Sequence, residues 1–247
     1  MDHNSPPAAI LAVDIGGTGV KMLATGQAEP RRHPTGPEFT PQQLVAVVKD
    51  LAADWAYDAV SIGFPGQVGD HGPRSEPGNL GAGWVGFDFH AAFEKPVRII
   101  NDAAMQALGS YDGGRMLFLG LGTGLGSTLI AENVLVPLEL GQIRGAKGRP
   151  IGEVLGRAGL KRLGKKKWLR AIDAIVPGLM AGLLADYVVI GGGNAKKIET
   201  PPPGSRLSNN LTAFRGGFRL WHVEDVRTQT GEERPPAPPS AGEWRLI

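Results

Sequence analysis

The sequence predicts an α/β protein built from a duplicated unit, with two lobes around a cleft. Three observations point there. Short apolar runs of buried-strand type alternate with stretches of helical periodicity. Two pairs of these runs are joined by matching turns, Gly17-Thr18-Gly19-Val20 and Gly122-Thr123-Gly124-Leu125. Finally, 42% of residues are hydrophobic and only 20% charged, so there is enough apolar material for a core despite 37 Gly and 20 Pro. The glycines have no three-residue period, which excludes a collagen-like chain. The expected division is an N-terminal lobe over 8–112, a C-terminal lobe over 113–230 and a disordered, proline-rich tail over 231–247.

The elements follow in order. Ala8 to Ile15 and Val20 to Ala24 read as two strands of a hairpin across Gly16–Gly19. Residues 26–40 read as loop. Thr40-Pro41 is an N-cap followed by a first-turn proline, and Leu44, Val47, Val48, Leu51 and Trp55 continue at helical spacing, so a helix is expected over 41–55. Ala59 to Phe64 is a strand ending at Pro65-Gly66, and 69–88 is loop. Val97 to Ile100 is a strand that delivers Asn101-Asp102 to the start of a helix over 103–111. Met116 to Leu119 and Ser127 to Ala131 flank the second Gly-rich turn. The stretch 151–185 reads as helical, with a break or kink at Pro177-Gly178. Tyr187 to Ile190 is a strand ending in Gly191-Gly192-Gly193-Asn194, and 200–217 is turn-rich.

Composition narrows the function. With no Cys, disulfides and thiolate metal sites are excluded. The five His are scattered without metal-ligand spacing. A formal net charge of +2 makes no electrostatic case for nucleic acid. No apolar run is long enough to cross a membrane, and the start lacks the pattern of a signal peptide, so a cytoplasmic protein is expected.

The turns carry the chemistry. Asp14-Ile15-Gly16-Gly17-Thr18-Gly19-Val20-Lys21 suits a phosphate: glycines admit close backbone approach, successive N–H groups form an anion nest, and Thr18 and Lys21 add a hydroxyl and a charge. Asp14 would repel that phosphate unless Mg²⁺ lies between them. The turn is not a Walker A loop, since the Gly-Lys-Ser/Thr ending is missing. Gly122, Thr123 and Gly124 form a second such turn, without the spacing of a dinucleotide-binding fingerprint. Asp102 can take a proton from a substrate hydroxyl or simply cap the following helix. Glu139 and Gln142 either suit a polyhydroxylated ligand or belong to an exposed loop, and Gly191–Asn194 either suits a flat ligand or is a plain strand-to-helix turn. Lys161, Arg162, Lys165, Lys166, Lys167 and Arg170 form either a solvated face or a polyanion site.

Taken in order, these segments resemble the ROK sugar kinases, and most of all the branch that contains polyphosphate glucokinases. The resemblance runs over about residues 10–198. Leu11 to Lys21 resembles the first phosphate motif and Gly120 to Gly126 the second. Ile62 to Gly66 with Asn79 to Trp84 resembles the sugar-binding segments, Asn101-Asp102-Ala103 the catalytic motif and Val189 to Gly193 the adenosine motif. It implies an actin-like (ribonuclease H-like) fold and phosphoryl transfer from ATP or polyphosphate to a hexose hydroxyl, most simply on glucose. Asp102 would be the base. Pro65, Gly66, Asn79, Asn101, Glu139, Gln142 and Glu153 would hold the sugar. Asp14, Gly16, Gly17, Thr18, Lys21, Gly122, Thr123 and Gly124 would hold donor phosphates, Asp14 facing the Mg²⁺. Gly191, Gly192, Gly193 and Asn194 would face adenosine. Gln142 stands where the family commonly has His, and the family's cysteine motif is missing, so no structural zinc is expected. A catalytically silent sugar or nucleotide sensor is the alternative, and a homodimer is left open.

Overall fold

The computed structural model describes residues 7–145, 148–209, 211–225 and 244–246. Its first sheet is built around Ile10–Gly16 (β1), which pairs antiparallel with Gly19–Ala24 (β2) and parallel with Ala59–Phe64 (β4). Arg31–Pro34 (β3) extends one edge and Val97–Asn101 (β7) the other, giving the order β3-β2-β1-β4-β7. β1 and β4 are apolar on both faces because both faces are covered. The loop expected over 26–40 therefore contains an edge strand, polar because its outer side meets solvent. The region after β4 holds Val68–Gly69 (β5), Gly72–Pro73 (β6) and a short helix, Phe89–Phe93 (α2).

The helix Pro41–Leu51 (α1) starts as expected. Thr40 and Gln43 form a reciprocal capping box, with proline in the first turn. It stops at Leu51 rather than at residue 55; Trp55 is still buried, but from a turn in which its N–H donates to the Ala52 carbonyl.

The second sheet repeats the first. Arg115–Leu121 (β8) pairs antiparallel with Leu125–Ala131 (β9), which pairs with Val134–Leu138 (β10). β8 also pairs parallel with Tyr187–Gly191 (β11), and β11 with Ser205–Leu207 (β12). The order β10-β9-β8-β11-β12 mirrors β3-β2-β1-β4-β7. Strand for strand, the chain is a tandem duplication, and the two Gly-rich turns occupy equivalent hairpins. Beyond β10 the sheet continues through Trp244–Leu246 (β14) to Val223–Asp225 (β13). A disordered tail from 231 is thus corrected for residues 244–246, which extend the sheet by backbone pairing. The remainder of that expectation, 231–243 and 247, lies outside the described residues.

Between β10 and β11 the chain forms Ile151–Leu155 (α4), Arg157–Leu163 (α5) and Lys165–Gly182 (α6). Of the break or kink expected at Pro177, no break occurs: α6 runs through it as one helix. Pro177 and Asp173 are both exposed, so the carbonyl deprived of its helical partner can bond water.

The remaining two helices tie the repeats together. Asp102–Ser110 (α3) follows β7 but packs mainly on the second sheet, with Ala103, Ala104, Met105 and Leu108 against Met116, Phe118 and Ile130. Thr212–Arg219 (α7) follows β12 but returns to the first sheet, where Phe214 packs on Ala12 and Leu23. Residues 212–217 are helical where turns were expected. Gly216 and Gly217 lower helix propensity, but they let α7 press against α3 and β1, where a Cβ on Gly217 would lie 2.6 Å from that of Ala12. Arg98 fixes the end of α7, donating 2.6 Å to the Leu220 carbonyl and lying over the Trp221 ring.

Candidate active site

The strand ends bring the acidic residues together. In the register of the first sheet Asp14 lies opposite Gly63, and Phe64 opposite Asn101. Asp102 opens α3 beside them. Gly63 leaves the space: a Cβ there would meet the Met105 methyl at 2.5 Å and the Asp102 Cα at 3.5 Å. From the other lobe, a Cβ on Gly126 would meet that of Ala103 at 2.8 Å. The first turn of α3 is therefore clamped between β4 and β9, at the seam between the repeats.

Asn101, not Asp102, caps this helix. Its Oδ1 accepts from the N–H groups of Ala103 (3.0 Å) and Ala104 (3.1 Å), and its Nδ2 donates to the Gly66 carbonyl at 3.0 Å. Asp102 Oδ1 accepts from the adjacent Ala103 N–H at 2.8 Å, and its carboxylate also interacts with its own backbone N–H. The capping alternative for Asp102 falls to its neighbour, which leaves Asp102 an oxygen for chemistry. Burial pushes the Asp102 carboxyl up to about 7, helped by the nearby charge of Asp14 and, less, of Glu139, against the Ala103 N–H. Asp14 is pushed up to about 6 by burial, with Lys21 opposite it on β2 pulling the other way. A carboxyl that titrates near neutrality is poised for proton transfer.

The sugar-motif residues lie on the segments after β4 and β10. Pro65 and Gly66 end β4. Asn79 lies against the first phosphate turn, because a Cβ on Gly17 would fall 1.8 Å from its Nδ2. Glu139 and Gln142 bracket a short 3₁₀ turn, with both side chains exposed. Glu153 opens α4 and is exposed; its neighbour Gly152 packs on Gly141, with a Cβ there 3.2 Å from the Gly141 Cα. The contact at Gly17 gives a test. Gly17→Ala displaces the Asn79 amide, and the KM for the sugar is expected to rise about tenfold, the size of one to two lost hydrogen bonds. Steady-state kinetics would check this, and an unchanged KM would remove Asn79 from the sugar site.

The two Gly-rich turns close equivalent hairpins, the first with two residues and the second with three. Gly17 and Thr18 connect β1 to β2, and the Thr35 hydroxyl donates to the Gly16 carbonyl at 2.8 Å. Gly122, Thr123 and Gly124 connect β8 to β9. Gly192 has φ +82°, and a Cβ there would lie 2.7 Å from the Leu121 N. The Gly191–Asn194 loop thus lies directly on the second turn. The sequence placed Gly63 only within a sugar-binding segment and gave no role to Gly156 or Arg157. A Cβ on Gly156 would meet the Thr123 carbonyl at 2.6 Å, and the Arg157 N–H donates to the Gly122 carbonyl at 3.0 Å. A glycine inside a strand or between two helices is the signal of close backbone approach.

Two sheets that share a five-strand core of the same order, with an acidic strand end and equivalent Gly-rich hairpins, define an actin-like α/β fold. The sequence pattern of the ROK family matches residues 10–141, and the chain belongs to that family. It is similar to a polyphosphate glucokinase of Mycobacterium tuberculosis, 24% identical over 210 residues that cover 76% of this chain and 78% of that protein. In fold it is similar to an inorganic polyphosphate/ATP-glucomannokinase of Arthrobacter sp. strain KM, with TM-score 0.72, 23% identity and coverage of 88% and 98% of the two chains. It is also similar to a ROK family glucokinase of Streptomyces griseus solved with glucose and AMPPNP, with TM-score 0.62, 20% identity and coverage of 97% and 94%. Among the described residues no helix is long and apolar enough to cross a membrane.

Proposed function

We propose that the chain is a sugar kinase that transfers the terminal phosphoryl group of ATP or polyphosphate to a hexose hydroxyl, with glucose the first candidate. The observation that carries this is Asp102, relieved of capping and held at the seam between β4 and β9 with its carboxyl near neutrality. Asp102 takes the proton of the sugar hydroxyl as its oxygen attacks phosphorus and the donor's bridging oxygen departs. Asn79, Glu139, Gln142 and Glu153 hold the sugar, and Asn101 fixes Asp102 through the helix cap. The turns at 16–19 and 122–124 hold donor phosphates through backbone N–H groups, so positioning and electrostatics supply most of the rate.

Asp14 fits a Mg²⁺. It is a desolvated carboxylate opposed only by Lys21, and among the described residues no three His, Cys, Asp or Glu gather into a metal site. One carboxylate with phosphate oxygens and waters is the usual coordination of Mg²⁺. When bound, the ion neutralises charge on the donor phosphates. The test is a matrix of hexoses and amino sugars against ATP and polyphosphate, each with Mg²⁺. A folded sample that makes no sugar phosphate in any combination would sink the kinase reading. Sugar binding by calorimetry without turnover would instead favour a sensor, the reading that Gln142 in place of the family's usual His supports.

The basic stretch on α5 and α6 supports polyphosphate as a donor. Lys161, Arg162, Lys166, Lys167 and Arg170 are exposed, while Lys165 pairs with Glu199 at 2.6 Å. Replacing Lys165, Lys166 and Lys167 by Gln is expected to raise the KM for polyphosphate about tenfold at low salt. The effect should shrink as salt screens the charges, with the KM for ATP unchanged. An equal loss with both donors would remove these lysines from the polyphosphate path.

A further inference from the structure

Asn194 ends the loop that the sequence assigns to adenosine, yet its side chain points to the phosphate turn. Its Nδ2 donates to the Gly122 carbonyl at 3.0 Å, and its backbone N–H donates to the Leu121 carbonyl at 2.9 Å. The Arg157 N–H reaches the same Gly122 carbonyl at 3.0 Å and the Thr123 carbonyl at 3.3 Å. Both carbonyls are thus held on the side of α5 and the Asn194 loop. In a planar trans peptide the carbonyl and the following N–H point in opposite directions. Holding the Gly122 carbonyl aims the Thr123 N–H the other way, and holding the Thr123 carbonyl does the same for the Gly124 N–H. Neither of these N–H groups has an acceptor among the described residues. They are the donors an anion nest requires.

We infer that Asn194 is a positioning residue for the donor phosphate: it sets the peptide orientation of the second turn and serves every phosphoryl donor, not adenosine. This rests on the proposed kinase reading and deepens it, because it makes the loop after β11 part of the phosphate site. It also fits a chain that takes donors without a base. The turn is braced at Gly122 by one side chain and one backbone group, so removing the side chain loosens the nest without deleting any group that touches the ligand.

The probe is inorganic tripolyphosphate with Mg²⁺, which has phosphates and no nucleoside, titrated calorimetrically into the full chain. Asn194→Asp keeps the shape but sets an acceptor against the Gly122 carbonyl, and it is expected to weaken tripolyphosphate binding about tenfold. Asn194→Ala should do so by a few-fold, and it covers the case in which the Asp variant does not fold. Where wild type turns over, kcat/KM should fall by the same factor with ATP and polyphosphate, with the KM for sugar unchanged. Asn194→Gln, which keeps an amide, should recover part of the loss. Unchanged tripolyphosphate binding in both the Asp and Ala variants, a wild type that does not bind it, or a loss confined to ATP would each overturn the inference. Wild type that binds tripolyphosphate but phosphorylates no sugar would sink the kinase reading and leave the Asn194 result to stand alone.

Discussion

Asp102→Asn is expected to lower kcat at least 100-fold with the KM for sugar nearly unchanged, and to raise the Tm of the free protein at pH 8. The first effect follows from loss of the proton acceptor, since a positioned general base contributes roughly 10²–10⁴-fold. The second follows from the sign of the pKa shift. The Asp102 carboxyl titrates at about 7 in the folded chain against an ordinary 3.8. Between those values the folded state binds more protons than the unfolded one, so stability falls as pH rises through that window. Above about 7 the charged carboxylate sits in a desolvated place beside Asp14, and the neutral amide of Asn removes that cost. Asn keeps an oxygen to accept from the Ala103 N–H. Wild-type kcat/KM should rise with pH through about 7 as Asp102 loses its proton. A variant that kept more than about a tenth of the activity would displace Asp102 as the base. A variant that lost activity together with Tm would show damage to the helix cap instead.

The strands and turns around Asp102 were legible because each is a local pattern. β1, β4, β8 and β11 are continuous apolar runs, and the hairpin turns carry their own glycines. The equivalence of the two halves was legible only as the repeated Gly-Thr-Gly turn, whereas the strand order made it complete. What the sequence hid depends on partners far along the chain. Asn101 and Asp102 are both good cap residues, and only the bond from Asn101 to Gly66 decides which one caps. Asn194 looks like part of a nucleotide loop until the Gly122 carbonyl, 72 positions away, takes its amide. α7 was hidden for the opposite reason. Gly216 and Gly217 argue locally against a helix, and their purpose appears only in the surface they press against.

That surface carries the largest expected effect on stability. α3 and α7 are equivalent helices of the two repeats, and they meet through a reciprocal pair of glycines. A Cβ on Gly109 would lie 1.7 Å from the Thr212 carbonyl oxygen, and a Cβ on Gly216 would lie 1.7 Å from the Met105 carbonyl oxygen. Both obstacles are backbone, so no side chain can rotate away, and the helices must separate along the packed faces of Ala104, Met105, Leu108 and Ala213. Gly216→Ala is expected to cost about 3 kcal/mol, the upper end of ordinary overpacking, which lowers Tm by roughly 6–12 °C in a chain of this size. Gly109→Ala should cost about the same. The double variant should cost less than the sum, because the displacement that admits one methyl makes room for the other. Gly178→Ala is the contrast: it lies exposed in α6 with nothing within 4 Å of its Cβ, and there the same substitution should stabilise by about 0.5–1 kcal/mol through helix propensity. Thermal denaturation followed by circular dichroism would read all four. A drop below about 2 °C for Gly216→Ala, less than about 1 kcal/mol in a chain of this size, would mean the two helices can part without cost. The clamp on the first turn of α3, and with it the fixed position of Asp102, would then have to come from β4 and β9 alone.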